Sequence, residues 1–210
     1  GLKMACGENP KRVYGGRGQA PGTRMGNVAG YRAAWIEAAD YRDKIKAAKE
    51  GQGEAPTRDL RLETLMGVLD GEILVHNHCY RADEMSVMLD IAREFGYEVG
   101  TFHHAVEAYK IADLLAESDT CAAMWADWWG FKMEAYDGIR ENIALVDKAG
   151  ACAVVHSDSA IGIQRLNQEA AKVMGAAARV DMDIPPESAI RWITANAAKS
   201  LGILEQTGTL

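Results

Sequence analysis

The sequence predicts an α/β fold built on a parallel sheet. Three observations carry that expectation. Short apolar runs, EILVHNH (72–78), YEVGTFHH (97–104), CAAMWADW (121–128) and ACAVVHSD (151–158), alternate with segments of helical period. Their starts recur about every 25–30 residues, the size of a βα unit. The runs are continuously apolar, as strands become when both faces of a parallel sheet are covered.

The remaining elements follow in order. LKMAC, residues 2–6, reads as one more strand. Residues 7–30 are glycine-rich with two prolines and read as loop. A polar, alanine-rich helix is expected over 31–50, then the linker GQGEAPT and a helix over 58–69 with Leu62, Leu65, Met66 and Leu69 at helical spacing. Asp70-Gly71 reads as a turn. Between the first two apolar runs, DEMSVMLDIAREFG places Met85, Met88, Leu89, Ala92 and Phe95 on one helical face, with Gly96 as its C-cap. Further helices are expected over 106–117, 135–148, 165–178 and 186–200.

Composition narrows the classes of function. The 210 residues are 48% hydrophobic and 25% charged, and the net charge is -7. That balance suits a globular domain and offers no basic field to attract nucleic-acid phosphates. No apolar run reaches the ~18 residues of a membrane helix. The opening GLKMACGENP is too short in its apolar part for a signal peptide. It also lacks an initiator Met, and the sequence closes on EQTGTL without an ending element, so a fragment of a longer chain is expected. A homo-oligomer or the remainder of the parent chain is the expected partner of its strand edges. Cys6, Cys79, Cys121 and Cys152 stand singly and far apart, so buried thiols and a reducing, cytoplasmic compartment are expected.

The chain has five histidines: His76, His78, His103, His104 and His156. Each falls at the C-terminal end of an expected strand, together with Asp158. In parallel α/β proteins that edge is the functional face. Side chains alternate along a strand, so His76 and His78 share a side, whereas His103 and His104 oppose each other. Imidazole and carboxylate are the groups that hold zinc and leave a position open for water. The serines flanking Asp158, Ser157 and Ser159, lack the GxSxG context of a serine hydrolase. GGRGQAPG lacks the GK[ST] of a Walker loop. Asp127, Trp128 and Trp129 of ADWWG, and Glu8, Tyr14 and Arg24 of the glycine-rich segment, are candidate substrate contacts.

In order and spacing, LKMACGENPKRVYG, ILVHNHCYRADE, FHHAVEAYKIADLLA, VVHSDSAIGIQRLNQEAAKV and ITANAAKSLGI resemble the C-terminal part of the amidohydrolase superfamily, in its imidazolonepropionase- and prolidase-like branch. The resemblance implies a partial TIM (β/α)8 barrel within a single domain, 1–210. Residues 1–30 would supply strand 4 and a glycine-rich loop, and residues 72–204 βα units 5 to 8. It implies metal-dependent hydrolysis of an amide or other C–N bond in a small-molecule substrate, with one or two divalent ions, zinc foremost. Deamination of a cyclic amidine or nucleobase-like ring, and a non-catalytic half-barrel, are the alternatives. By the same resemblance His76 and His104 are metal ligands, leaving His103 on the outer side. Asp158 binds metal and acts as general base, and His78 is a catalytic group near the substrate or a second metal. Lys3 matches the strand-4 lysine that some members carboxylate to bridge two metals. The family's strand-1 HxH pair is absent, and HNH does not replace it. About 80 residues separate His78 from Asp158, whereas strands 1 and 8 of a barrel of ~250 residues lie much further apart.

Overall fold

The computed structural model describes residues 1–209. Among them, five strands form one sheet: β1 (Leu2–Ala5), β2 (Val75–Cys79), β3 (Val99–His104), β4 (Cys121–Met124) and β5 (Cys152–Val155). Their spatial order is their chain order, and every neighbouring pair is parallel. When parallel strands follow one another in sequence order, right-handed crossovers all land on the same side.

The register sorts side chains onto two faces. Met4, Val75, Cys79, Phe102, Ala122, Met124, Ala153 and Val155 pack into the main core with Trp35, Met85, Ile91, Leu115, Ile143 and Val173. These partners belong to helices α2 (Arg24–Lys49), α4 (Ala82–Phe95), α5 (Ala112–Glu117), α6 (Asn142–Lys148) and α7 (Leu166–Ala178). Each large side chain buried there contributes about 1.5–3 kcal/mol. The other face carries Lys3, His76, His78, Thr101, His103, Cys121, Ala123, Cys152 and Val154 by register. Helix α8 (Pro186–Ile193) leads into α9 (Ala195–Ser200), which covers part of this second face. Ser200 Oγ lies 2.7 Å from Thr101 Oγ1, and Ala197 packs against Cys121, Ala123, Cys152 and Val154. The histidine end of the face is left to the site.

Several elements depart from the sequence expectation. Residues 7–30 are not all loop: α1 (Glu8–Gly15) follows the left-handed Gly7, and α2 begins at Arg24 rather than near residue 31. Thr23 Oγ1 accepts from Gly26 N–H at 2.9 Å and caps α2. A cap of this kind contributes about 1 kcal/mol, which offsets the similar cost of one helical glycine. Helix α3 (Leu60–Leu69) starts as expected, with Asp59 capping Arg61 and Leu62. The expected 106–117 helix opens with a 3₁₀ turn, Ala108–Ile111, before α5, whereas the expected 135–148 helix forms only from Asn142 as α6, with a separate 3₁₀ turn at Met133–Ala135. The last helix breaks at Thr194. Gly96 closes α4 in the left-handed conformation, as its position predicts.

The cysteines also depart from expectation. They form two disulfides, Cys6–Cys79 and Cys121–Cys152. Cys121 and Cys152 are direct register partners on adjacent strands, with Cα atoms 4.4 Å apart. Cys6 follows Ala5, whose partner is His78, so it meets Cys79 at 5.2 Å. Spacing along the chain hides both pairs. The thiol argument for a reducing compartment therefore falls. No helix among the described residues is long and apolar enough to cross a membrane.

Candidate active site

All five histidines gather at the C-terminal edge of the sheet. His76 stands beside Lys3 in the register, and His78 beside His103. His76 Nδ1 and His103 Nε2 are 2.9 Å apart, so one donates to the other. His103 therefore shares the face of Lys3, His76 and His78, which corrects the expectation that it points outward.

His104 reaches the same cluster by another route. Alternation alone would send it to the helix side with Cys79 and Met124, its register partners. Its φ of 72°, followed by 38° at Ala105, breaks the extended backbone at that point. The ring comes to rest 4.5 Å from His78, 5.1 Å from His156 and 4.7 Å from Trp125, centroid to centroid. Left-handed backbone is costly for residues other than glycine and persists where neighbours hold it. Asn142, at the start of α6, is the holder: its Nδ2 donates to the carbonyls of Ala105 and Val106, and its Oδ1 accepts from Tyr109 N–H. Asn142→Ala strips three backbone partners at once, two of them fully buried. The expected loss is roughly 2–3 kcal/mol of stability, read as a lower midpoint in urea unfolding.

Asp158 lies past β5 on a turn, with φ 50°. Two contacts place that turn. His156 N–H still bonds Met124 O at 3.0 Å, and Trp125 Nε1 donates to Ser157 O at 3.1 Å. The Trp125 ring also stacks on His156, 5.4 Å away at 17°. As a result Asp158 Oδ2 stands 3.9 Å from His104 Nδ1. Ser157 Oγ bonds the backbone of Ser159, so it shapes the turn.

The electrostatics favour neutral imidazoles. Burial pushes His78 and His156 down to about 4 and His103 down to about 3, with nearby cations assisting. Burial lowers His76 and His104 as well. Neutral imidazole is the form that coordinates a metal. Burial also lowers the Lys3 ammonium, a shift that Asp158 opposes. Tyr80, raised by burial, stays a phenol.

Donor chemistry and one distance fit a divalent ion. His104 Nδ1 is buried and has no hydrogen-bond partner, as has His156 Nε2. The 3.9 Å between His104 Nδ1 and Asp158 Oδ2 is about 0.5 Å wider than two ligand atoms of one tetrahedral zinc with bonds of about 2.0–2.2 Å, a gap that a small turn of the exposed Asp158 side chain would close. Among the described residues, no set of three His, Cys, Asp or Glu side chains is already arranged around such a point. The fit thus rests on that pair and on the unsatisfied nitrogens.

The other sequence candidates divide. Trp128 lies half-exposed beside Trp125, and Asp127 pairs with Lys172 at 3.1 Å. Arg24 pairs with Glu84 and Glu134, and Tyr14 is exposed. The cluster also recruits residues that the sequence did not single out: Tyr80, Trp125, Asn9, Lys132 and Glu134. Only Tyr80 left a signal, lying two residues beyond His78 in the pattern that also joins His76 to His78.

No family model matches the chain. Over its whole length the chain is 31% identical to the amidohydrolase tasK of Hapsidospora irregularis, and it covers 22% of that protein. It also superposes in full on an amidohydrolase of Thermotoga maritima, with a TM-score of 0.89 and 34% identity, covering 53% of that chain. A guanine deaminase of E. coli is matched at a TM-score of 0.49 and 20% identity, too distant to bear on function. The first two likenesses are to proteins named amidohydrolases, and neither name distinguishes a branch of that family. The chain spans about a fifth of the curated relative and about half of the structural one.

Proposed function

We propose that the chain is the metal-binding part of a hydrolase of C–N bonds, acting on an amide or dipeptide-like small molecule in the manner of the imidazolonepropionase- and prolidase-like branch. The observation that carries this reading is the facing of an unpartnered His104 Nδ1 and Asp158 Oδ2 across 3.9 Å. The match of the whole of this chain to part of two amidohydrolases supports it. His76, His104, Asp158 and, once carboxylated, Lys3 would hold one or two divalent ions, zinc foremost. His103, hydrogen-bonded to His76, orients that ligand. A zinc ion bound there would supply Lewis acidity and make water more acidic. The carboxylate of Asp158 would accept a proton from the attacking water and deliver it to the leaving nitrogen. His78 and Tyr80 line the approach to the reacting carbonyl.

The sheet is proposed to be the wall of a (β/α)8 barrel, strands 4 to 8. Its sequential parallel order suits that wall. Edges β1 and β5 would be met by the rest of a longer chain or by a second copy. The test is product analysis with zinc present, using dipeptides and N-acyl amino acids on one side and cyclic amidines and nucleobases on the other. Free amino acid is the expected product. Ammonia from the ring compounds alone would replace this reading with a deaminase, and no product from either set would leave a non-catalytic half-barrel.

A further inference from the structure

A chain of four side chains ends on His78. Asn9, in α1, holds its Nδ2 3.0 Å from His78 Nε2. On the other end of the same amide, Lys132 Nζ lies 3.4 Å from Asn9 Oδ1. Lys132 is itself fixed, 2.7 Å from Glu134 Oε1 and 4.0 Å above the Tyr80 ring. Glu134 is 2% exposed, and its second oxygen accepts from the N–H of Glu8, the neighbour of Asn9, at 2.8 Å.

The chemistry of these groups leaves one arrangement. An ammonium only donates, so Lys132 selects the oxygen of the Asn9 amide. The amide nitrogen then faces His78, and it too only donates. His78 Nε2 must accept, so it carries no hydrogen. A neutral imidazole has one N–H and one lone pair, which puts the hydrogen on Nδ1. With the Nε2 lone pair engaged and Nδ1 protonated, the ring has nothing left to offer a metal.

We propose that the Glu134–Lys132–Asn9 chain locks His78 in its Nδ1–H form, making it a hydrogen-bond donor of the site and excluding it from the metal ligands. Asn9 and Lys132 are positioning residues in this scheme. The tautomer rests on geometry alone. That the Nδ1–H serves a substrate carbonyl rests on the amide-hydrolysis reading above. The lock also spans the molecule, because Glu134 and Lys132 follow β4 while Asn9 follows β1. The lock therefore closes only when α1 and the segment after β4 meet.

The test is nitrogen NMR of the ¹⁵N-histidine-labelled, metal-free 210-residue chain at about pH 8, with His78 assigned by the signal lost in His78→Gln. The expected wild-type spectrum shows a protonated Nδ1 and a bare Nε2. Asn9→Leu and Lys132→Met are expected to shift the population toward Nε2–H, the form that free imidazole side chains favour in water. Zinc addition is expected to leave the His78 nitrogens without a coordination shift. A wild-type His78 in the Nε2–H form, a tautomer unchanged in both variants, or coordination of zinc by His78 would each overturn the proposal. The wild-type spectrum decides the tautomer even where a variant fails to fold, and absence of hydrolysis would remove the substrate role without touching the lock.

Discussion

Asp158→Asn is expected to lower the hydrolytic rate by roughly 10²–10⁴-fold, the range for loss of a positioned acid–base group. The amide keeps the size of the carboxylate and can still approach His104, but it has no basic oxygen of comparable strength and brings no negative charge. Its side chain is largely exposed, so folding should survive, and the thermal midpoint should stay within a few degrees of the parent. A rate loss with an unchanged melt assigns the effect to chemistry. A rate within tenfold of the parent would remove Asp158 from the mechanism.

Acid should destabilise the metal-free protein steeply between about pH 6.5 and pH 4. The sign follows from linkage. Burial depresses His78, His103, His104 and His156 in the folded chain, whereas the unfolded imidazoles titrate near 6.5. Within that window the unfolded state binds more protons, so stability falls as pH falls. The contribution is fully present above the unfolded value and is lost as pH descends to the folded ones. Each additional proton steepens the slope by at most about 1.4 kcal/mol per pH unit, less where solvent reaches the ring. For a chain of this size each kcal/mol moves Tm by about 2–4 °C. Thermal melts at half-unit steps of pH measure it. Replacing His104 by Asn should flatten the curve, and a pH-independent Tm across the window would contradict the burial that defines the cluster.

Much of this was legible in the sequence, and the exceptions have physical causes. The rhythm of apolar runs and helices predicted the parallel sheet, because continuous burial leaves no alternation to misread. The histidines at the ends of those runs predicted a functional edge. What pattern could not show was His104: alternation holds only while the backbone stays extended, and two left-handed residues end it. The sense of His103 was lost with it. Glycine concealed α1 and the start of α2: α1 keeps its glycines to its ends, and in α2 the Thr23 cap offsets the cost of about 1 kcal/mol per helical glycine. The two disulfides needed the register, and the chain from Glu134 to His78 joins residues 69 to 126 positions apart, beyond any local signal.

The central claim is that His104 and Asp158 face one another in order to share a divalent ion. Calorimetric titration of zinc into the chelator-treated 210-residue chain at about pH 7.5 tests it most directly. Saturable uptake of at least one zinc per chain is expected, abolished by His104→Ala and weakened by Asp158→Asn. No uptake by the parent, or undiminished uptake by His104→Ala, would contradict it.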